Sequence, residues 1–123
     1  MTPRVSRHYP LARVVEIHDG DTLKLDVDLG FSCHAWAWVR LKSVRAPELS
    51  EPDGSAARAD VLDWLAEHAP DSWVTLTTFQ TAGGFKEIRE QRTFIRYVGI
   101  VVADNGAELN SYLLAKGWID RGE

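Results

Sequence analysis

Three short stretches of this 123-residue chain carry residue types suited to phosphate chemistry. Asp19-Gly20-Asp21-Thr22 is a turn bearing two carboxylates. Arg40-Leu41, followed by Ala46-Pro47-Glu48, sets an arginine at a strand end and a glutamate just past a rigid turn. Arg96 opens a later β-rich run. Hydrolysing a phosphodiester needs a base to activate water and cations to stabilise charge on the equatorial oxygens. Two arginines supply paired donors matched to phosphate. Glu48 is a candidate base, and Asp21 is a candidate oxygen ligand for a divalent ion. Each piece alone also has a plainer reading. Asp-Gly turns are common, and their Asp side chains satisfy neighbouring amides. A surface Arg–Glu pair is worth little, and Arg96 alone reads as a solvated edge charge.

The elements that must position these residues are mostly strands. Leu11, Val14, Val15 and Ile17 form a first apolar run, ended at Asp19-Gly20, where glycine is expected to supply a positive φ. Leu23, Leu25 and Val27 alternate with Lys24, Asp26 and Asp28, the period of a half-buried strand. A second turn is expected at Leu29-Gly30, then a third strand over His34 to Leu41. In that strand Trp36, Trp38 and Arg40 share one face, while Ala35, Ala37, Val39 and Leu41 share the other. Pro47 breaks the ladder because it has no N–H to donate. Ser55 to Ala69 reads as a helix capped by Asp53 or Ser55, with Val61, Leu62 and Leu65 as its apolar stripe and Pro70 as its stop. Trp73 to Phe79 and Tyr97 to Val102 are a fourth and a fifth strand. Between them, Thr81 to Gly84 reads as a turn, and Lys86 to Arg92 as a hairpin extension or a loop. Glu108 to Lys116 is helical, with Gly117 as the residue that ends it. Short antiparallel strands with helices inserted late predict an α+β fold, a five-stranded OB-like β-barrel with two or three helices.

Composition sets the outer bounds. At 13.8 kDa, 45% hydrophobic and 26% charged, the chain has the profile of one globular domain, not of a disordered or fibrous segment. No apolar run approaches the roughly 20 residues of a membrane helix. Met1 to Pro10 is polar and basic with no apolar core, which predicts no secretory leader and a cytoplasmic location. A lone cysteine, Cys33, excludes an internal disulfide and a four-cysteine zinc site. The net charge of −4 argues weakly against wrapping a long polyanion, yet bases concentrate in Arg4 to Arg13, Arg40 to Arg45 and Lys86 to Arg96. Acids crowd Glu48 to Asp71.

Four segments together resemble the staphylococcal (thermonuclease-like) nuclease family. Val15 to Leu25 is similar to its first hairpin, and Val39 to Glu48 to its "RL-x-x-[VI]-D-[AT]-P-E" segment. Arg92 to Gly99 resembles its "x-Y/F-G-R" strand, and Leu109 to Gly117 its "v-N-x-x-L-x-x-x-G" helix. The segments fall in register from about Val14 to Trp118. The resemblance implies one staphylococcal-nuclease-like domain over 1–123, with a core of about 12–118. It also implies a hydrolase of DNA and RNA dependent on Ca2+. On that resemblance Asp21 matches a calcium ligand, and Ala46 a position whose backbone carbonyl also ligates the ion. Glu48 matches the general base, and Arg40 and Arg96 the arginines that bind the scissile phosphate.

Two positions depart from the pattern. Arg45 stands where the family has its second aspartate ligand, placing a cation beside the expected ion. Ile95 stands where glycine usually precedes the second arginine. Arg45 admits three physical readings: pairing with Asp21 or Glu48 inside the metal site, pointing outward to phosphate, or replacing part of the cation's role. The rival to a nuclease is therefore a catalytically silent barrel. It would bind single-stranded DNA or RNA through Arg40, Lys42, Arg45 and Arg96, or meet a protein partner. Trp36 and Trp38 could stack bases, but beside Trp64, Trp73 and Trp118 they read first as packing residues. His8, His18, His34 and His68 have no metal spacing, and only His18 lies beside the Asp19 turn. Cys33 reads as a strand-end residue, not a nucleophile.

Overall fold

The computed structural model describes residues 6–47, 50–79, 86–88 and 95–119. Its elements run β1 (Ser6–Asp19), β2 (Thr22–Gly30), β3 (Cys33–Leu41), α1 (Gly54–His68), β4 (Trp73–Phe79), β5 (Lys86–Ile88), β6 (Ile95–Val102) and α2 (Leu109–Ala115). Strand order is β3-β2-β1-β4-β6-β5, and a parallel β3–β6 pairing returns the sheet to its first strand. Five strands close into a mixed barrel, and β5 lies on β6 as an appendage. The fold is α+β and OB-like, with two helices among the described residues. None of the described helices is long and apolar enough to cross a membrane.

Closure depends on β1, which begins at Ser6 rather than at Leu11. Its first half pairs with β4 (Ser6↔Phe79 to Arg13↔Trp73), and its second half with β2 (Ala12↔Val27 to Asp19↔Thr22). Register shifts at Tyr9/Ala12, Val14/Glu16 and Ile17/Asp19 bend the strand between its partners. The first shift flanks Pro10, which has no N–H for a ladder bond, and its carbonyl accepts from Thr75 Oγ1 at 3.3 Å. These non-local pairings extend β1 beyond its apolar run.

Strand alternation builds the core as expected. Leu23, Leu25 and Val27 of β2, Val39 and Leu41 of β3, and Val74 and Leu76 of β4 are buried together. From α1, Val61, Trp64 and Leu65 join them, whereas Leu62 faces solvent at 43% exposure. Trp64 thus takes the place predicted for Leu62. Asp53 holds the N-cap position of α1, but at φ 69° and without a side-chain cap bond. Leu109 and Leu113 bring α2 to the same core. Gly117, at φ 98°, ends α2 as predicted. Its N–H donates to Leu114 O at 3.0 Å and that of Trp118 to Leu113 O at 3.1 Å, which together form a Schellman motif.

Two turns differ from expectation. The β2–β3 turn is Phe31-Ser32, both at positive φ (55° and 62°), closed by the Gly30↔Cys33 pair. Gly20 does not take a positive φ; it is needed for closeness instead. A Cβ there would lie 2.6 Å from Ala57 Cβ and 2.7 Å from Ala46 Cβ, so the β1–β2 turn packs directly on α1 and on the segment after β3. Gly20→Ala should therefore destabilise the fold by about 1–3 kcal/mol, because both neighbours sit on ordered backbone. The midpoint of urea unfolding measures it; an unchanged midpoint would show that the turn is free to move away.

Candidate functional site

The site is assembled around the β1–β2 turn. Asp19 and Asp21 are both buried. Asp19 Oδ1 accepts from Asp21 N–H at 3.1 Å. Asp21 Oδ1 accepts from Thr22 Oγ1 at 2.9 Å, and its Oδ2 accepts from Ala46 N–H at 3.2 Å. The main-chain oxygen of Asp21 accepts from Leu41 N–H at 2.8 Å. Asp21 thereby joins the turn to the end of β3 and to the chain leaving it. Arg40, half-buried, lies opposite Thr22 across β2–β3 and opposite Val98 across β3–β6. Arg96 lies two residues before Val98 on β6, where its backbone pairs with Glu87. The whole of Glu48 and the side chain of Arg96 lie outside the described residues.

Asn110 fixes the remaining wall. Its Nδ2 donates to Lys42 O at 3.0 Å and to Gly99 O at 3.1 Å, and its Oδ1 accepts from Val101 N–H at 3.1 Å. Buried in α2, it locks the segment after β3 to β6. The asparagine was legible as part of the resemblance; its bonding was not. Lys42 is exposed, with Nζ over the Phe79 ring at 5.4 Å. Arg45 is exposed too, with its N–H on Trp118 O at 3.2 Å. It forms no ion pair with Asp21, so of its three readings the one that fills the metal site through Asp21 is not adopted.

The sequence marked Asp19 as one of the two carboxylates of the turn but gave a role to Asp21 alone. Burial, and then the neighbouring Asp21 carboxylate, push the pKa of Asp19 from 3.8 up to about 7. His18 Nε2 stands 4.0 Å from Asp19 Oδ2, too far for a strong pair. Two buried acids side by side would welcome a cation. A calcium site needs six to eight oxygens, however. Among the described residues no three His, Cys, Asp or Glu side chains converge on a metal position. The position where the resemblance calls for a second aspartate ligand holds the exposed Arg45. The two acids of the turn are too few oxygen donors, so the described residues do not fit a calcium site. A groove of about 420 Å3 between α1 and β1, lined by Val15, Arg58 and Leu62 among others, contains none of these residues.

No protein-family model matches the chain, and no curated protein matches it.

The Asp19 shift has a definite sign. Its folded pKa exceeds its unfolded value, so the native state keeps a proton that the unfolded chain releases between 3.8 and about 7. Stability falls as pH rises through that window and levels off above it. In chelator, the urea midpoint of the wild type should drop between about pH 5 and about pH 8, and Asp19→Asn should flatten that slope. Equal slopes in the two proteins would show that another group titrates.

Proposed function

We propose that the chain is a phosphodiesterase that hydrolyses DNA or RNA at a staphylococcal-nuclease-like site. The observation that carries this reading is register: Thr22↔Arg40↔Val98 sets the Asp19–Asp21 turn, Arg40 and the strand of Arg96 side by side. In the proposed mechanism the Arg40 and Arg96 guanidiniums hold the equatorial oxygens of the phosphate and offset their charge. Glu48 takes a proton from the attacking water as its oxygen bonds to phosphorus. The bond from phosphorus to the leaving sugar oxygen breaks, that oxygen takes a proton from solvent water, and Glu48 returns its own proton to solvent. Asp21 supports this arrangement by tying the turn to β3 and Ala46.

The exposed Arg45 favours a second reading, in which the same barrel binds single-stranded nucleic acid without cutting it. Cleavage of single-stranded DNA and RNA with calcium, with magnesium and in chelator separates the two. On the first reading Glu48→Gln lowers turnover by about 10²–10⁴-fold with an unchanged melting temperature. Equal turnover in the variant would remove Glu48 as base. Salt-sensitive binding with no cleavage under any metal would establish the silent barrel.

A further inference from the structure

We propose that the outer face of β3 is a base-stacking track for single-stranded nucleic acid, running from Arg40 past Trp38 to Trp36. The proposal rests on the nucleic-acid reading above and adds where the strand lies and what holds it. Alternation along β3 turns Val39 and Leu41 into the core and leaves Trp36, Trp38 and Arg40 on the opposite face. Successive residues on that face are roughly 6.8 Å apart along the strand. Two aromatic planes therefore follow the phosphate-binding candidate in a row.

The rings are arranged for an incoming partner. Trp36 is 67% exposed, a large apolar surface that the fold itself leaves uncovered. Lys24, from the neighbouring β2, places Nζ 4.8 Å from the Trp36 ring centre and 5.5 Å from that of Trp38. That ammonium lies within cation–π reach of both rings and puts a positive charge beside them. Trp38 is further oriented by an edge contact with His18 at 5.7 Å.

Charge on the same face selects the occupant. Asp26 is hydrogen-bonded to His34 Nδ1 at 3.0 Å, and Glu16 is the register partner of Lys24. A duplex laid here would press its phosphates against those acids and keep its bases stacked inside. An unpaired strand can direct a phosphate to Arg40 and present neutral base planes to Trp38 and Trp36, which a mixed-charge surface tolerates. Stacking of this kind accepts any base, because every base has a π-face.

The test measures anisotropy of a labelled short oligothymidylate, and of an abasic oligomer of the same length, across several salt concentrations in chelator. Expected is an approximately tenfold weaker oligothymidylate affinity for Trp36→Ala, with the salt slope and the abasic affinity unchanged. Trp36→Phe should retain most of the affinity. Trp36 is exposed, so melting curves should show both variants folded. Equal oligothymidylate affinity for wild type and Trp36→Ala, with Arg40→Ala weakening both probes, would overturn the track and leave nucleic-acid binding in place. Failure of the wild type to bind either probe at low salt would overturn the track together with the reading beneath it.

Discussion

The contact of Gly20 with Ala46 and Ala57 is the constraint on which the site depends. A turn, a helix and an irregular segment meet there with no room for one more methyl group. Three small residues allow the approach, and the approach brings Ala46 N–H to the Asp21 carboxylate. Without that closeness the turn would stand in solvent, and its acids would behave as ordinary surface carboxylates. With it, both acids are buried, both carboxylate oxygens of Asp21 and one of Asp19 accept hydrogen bonds, and the end of β3 is held by the Asp21 main chain.

That burial creates an electrostatic tension which the rest of the site does not fully relieve. Two carboxylates share a desolvated turn, and Asp19 holds its proton first because it is buried and then because Asp21 lies beside it. A third acid at position 45 would increase the demand for a cation; the arginine there faces outward instead, anchored through its backbone to Trp118. Asn110 keeps that outward segment in place by bonding three backbone groups across α2, β6 and the β3 exit. The segment leaving β3 is thus tied to α2 and β6 by the hydrogen bonds of one neutral amide.

β3 serves two purposes because of its pleat. One face supplies Val39 and Leu41 to the core, and the other carries Arg40, Trp38 and Trp36. The β3–β6 closure is confined to Val39, Arg40 and Leu41 among the described pairings, so the core end of the strand is clamped where the arginine sits. Lys24 reaches across from β2 to the indoles, a contact between strands that exists only once their register is set.

Local pattern was enough for the strand alternation, the Gly117 helix end, the α+β class and the grouping of Trp36, Trp38 and Arg40 on one face. These depend on backbone periodicity and on residues that act within a few positions of themselves. The length of β1, the burial of Trp64 in place of Leu62, and the true role of Gly20 were not readable. Each depends on a neighbour supplied by a distant part of the chain: β4 for Ser6 to Tyr9, the barrel interior for Trp64, and Ala46 and Ala57 for Gly20. The same division runs through the site. By itself the sequence determined which charged groups were available, Asp21, Arg40 and their neighbours. The tertiary structure alone decided that Asp19 and Asp21 share one buried turn and that Arg45 faces away, because desolvation and direction arise only when separate segments are packed together.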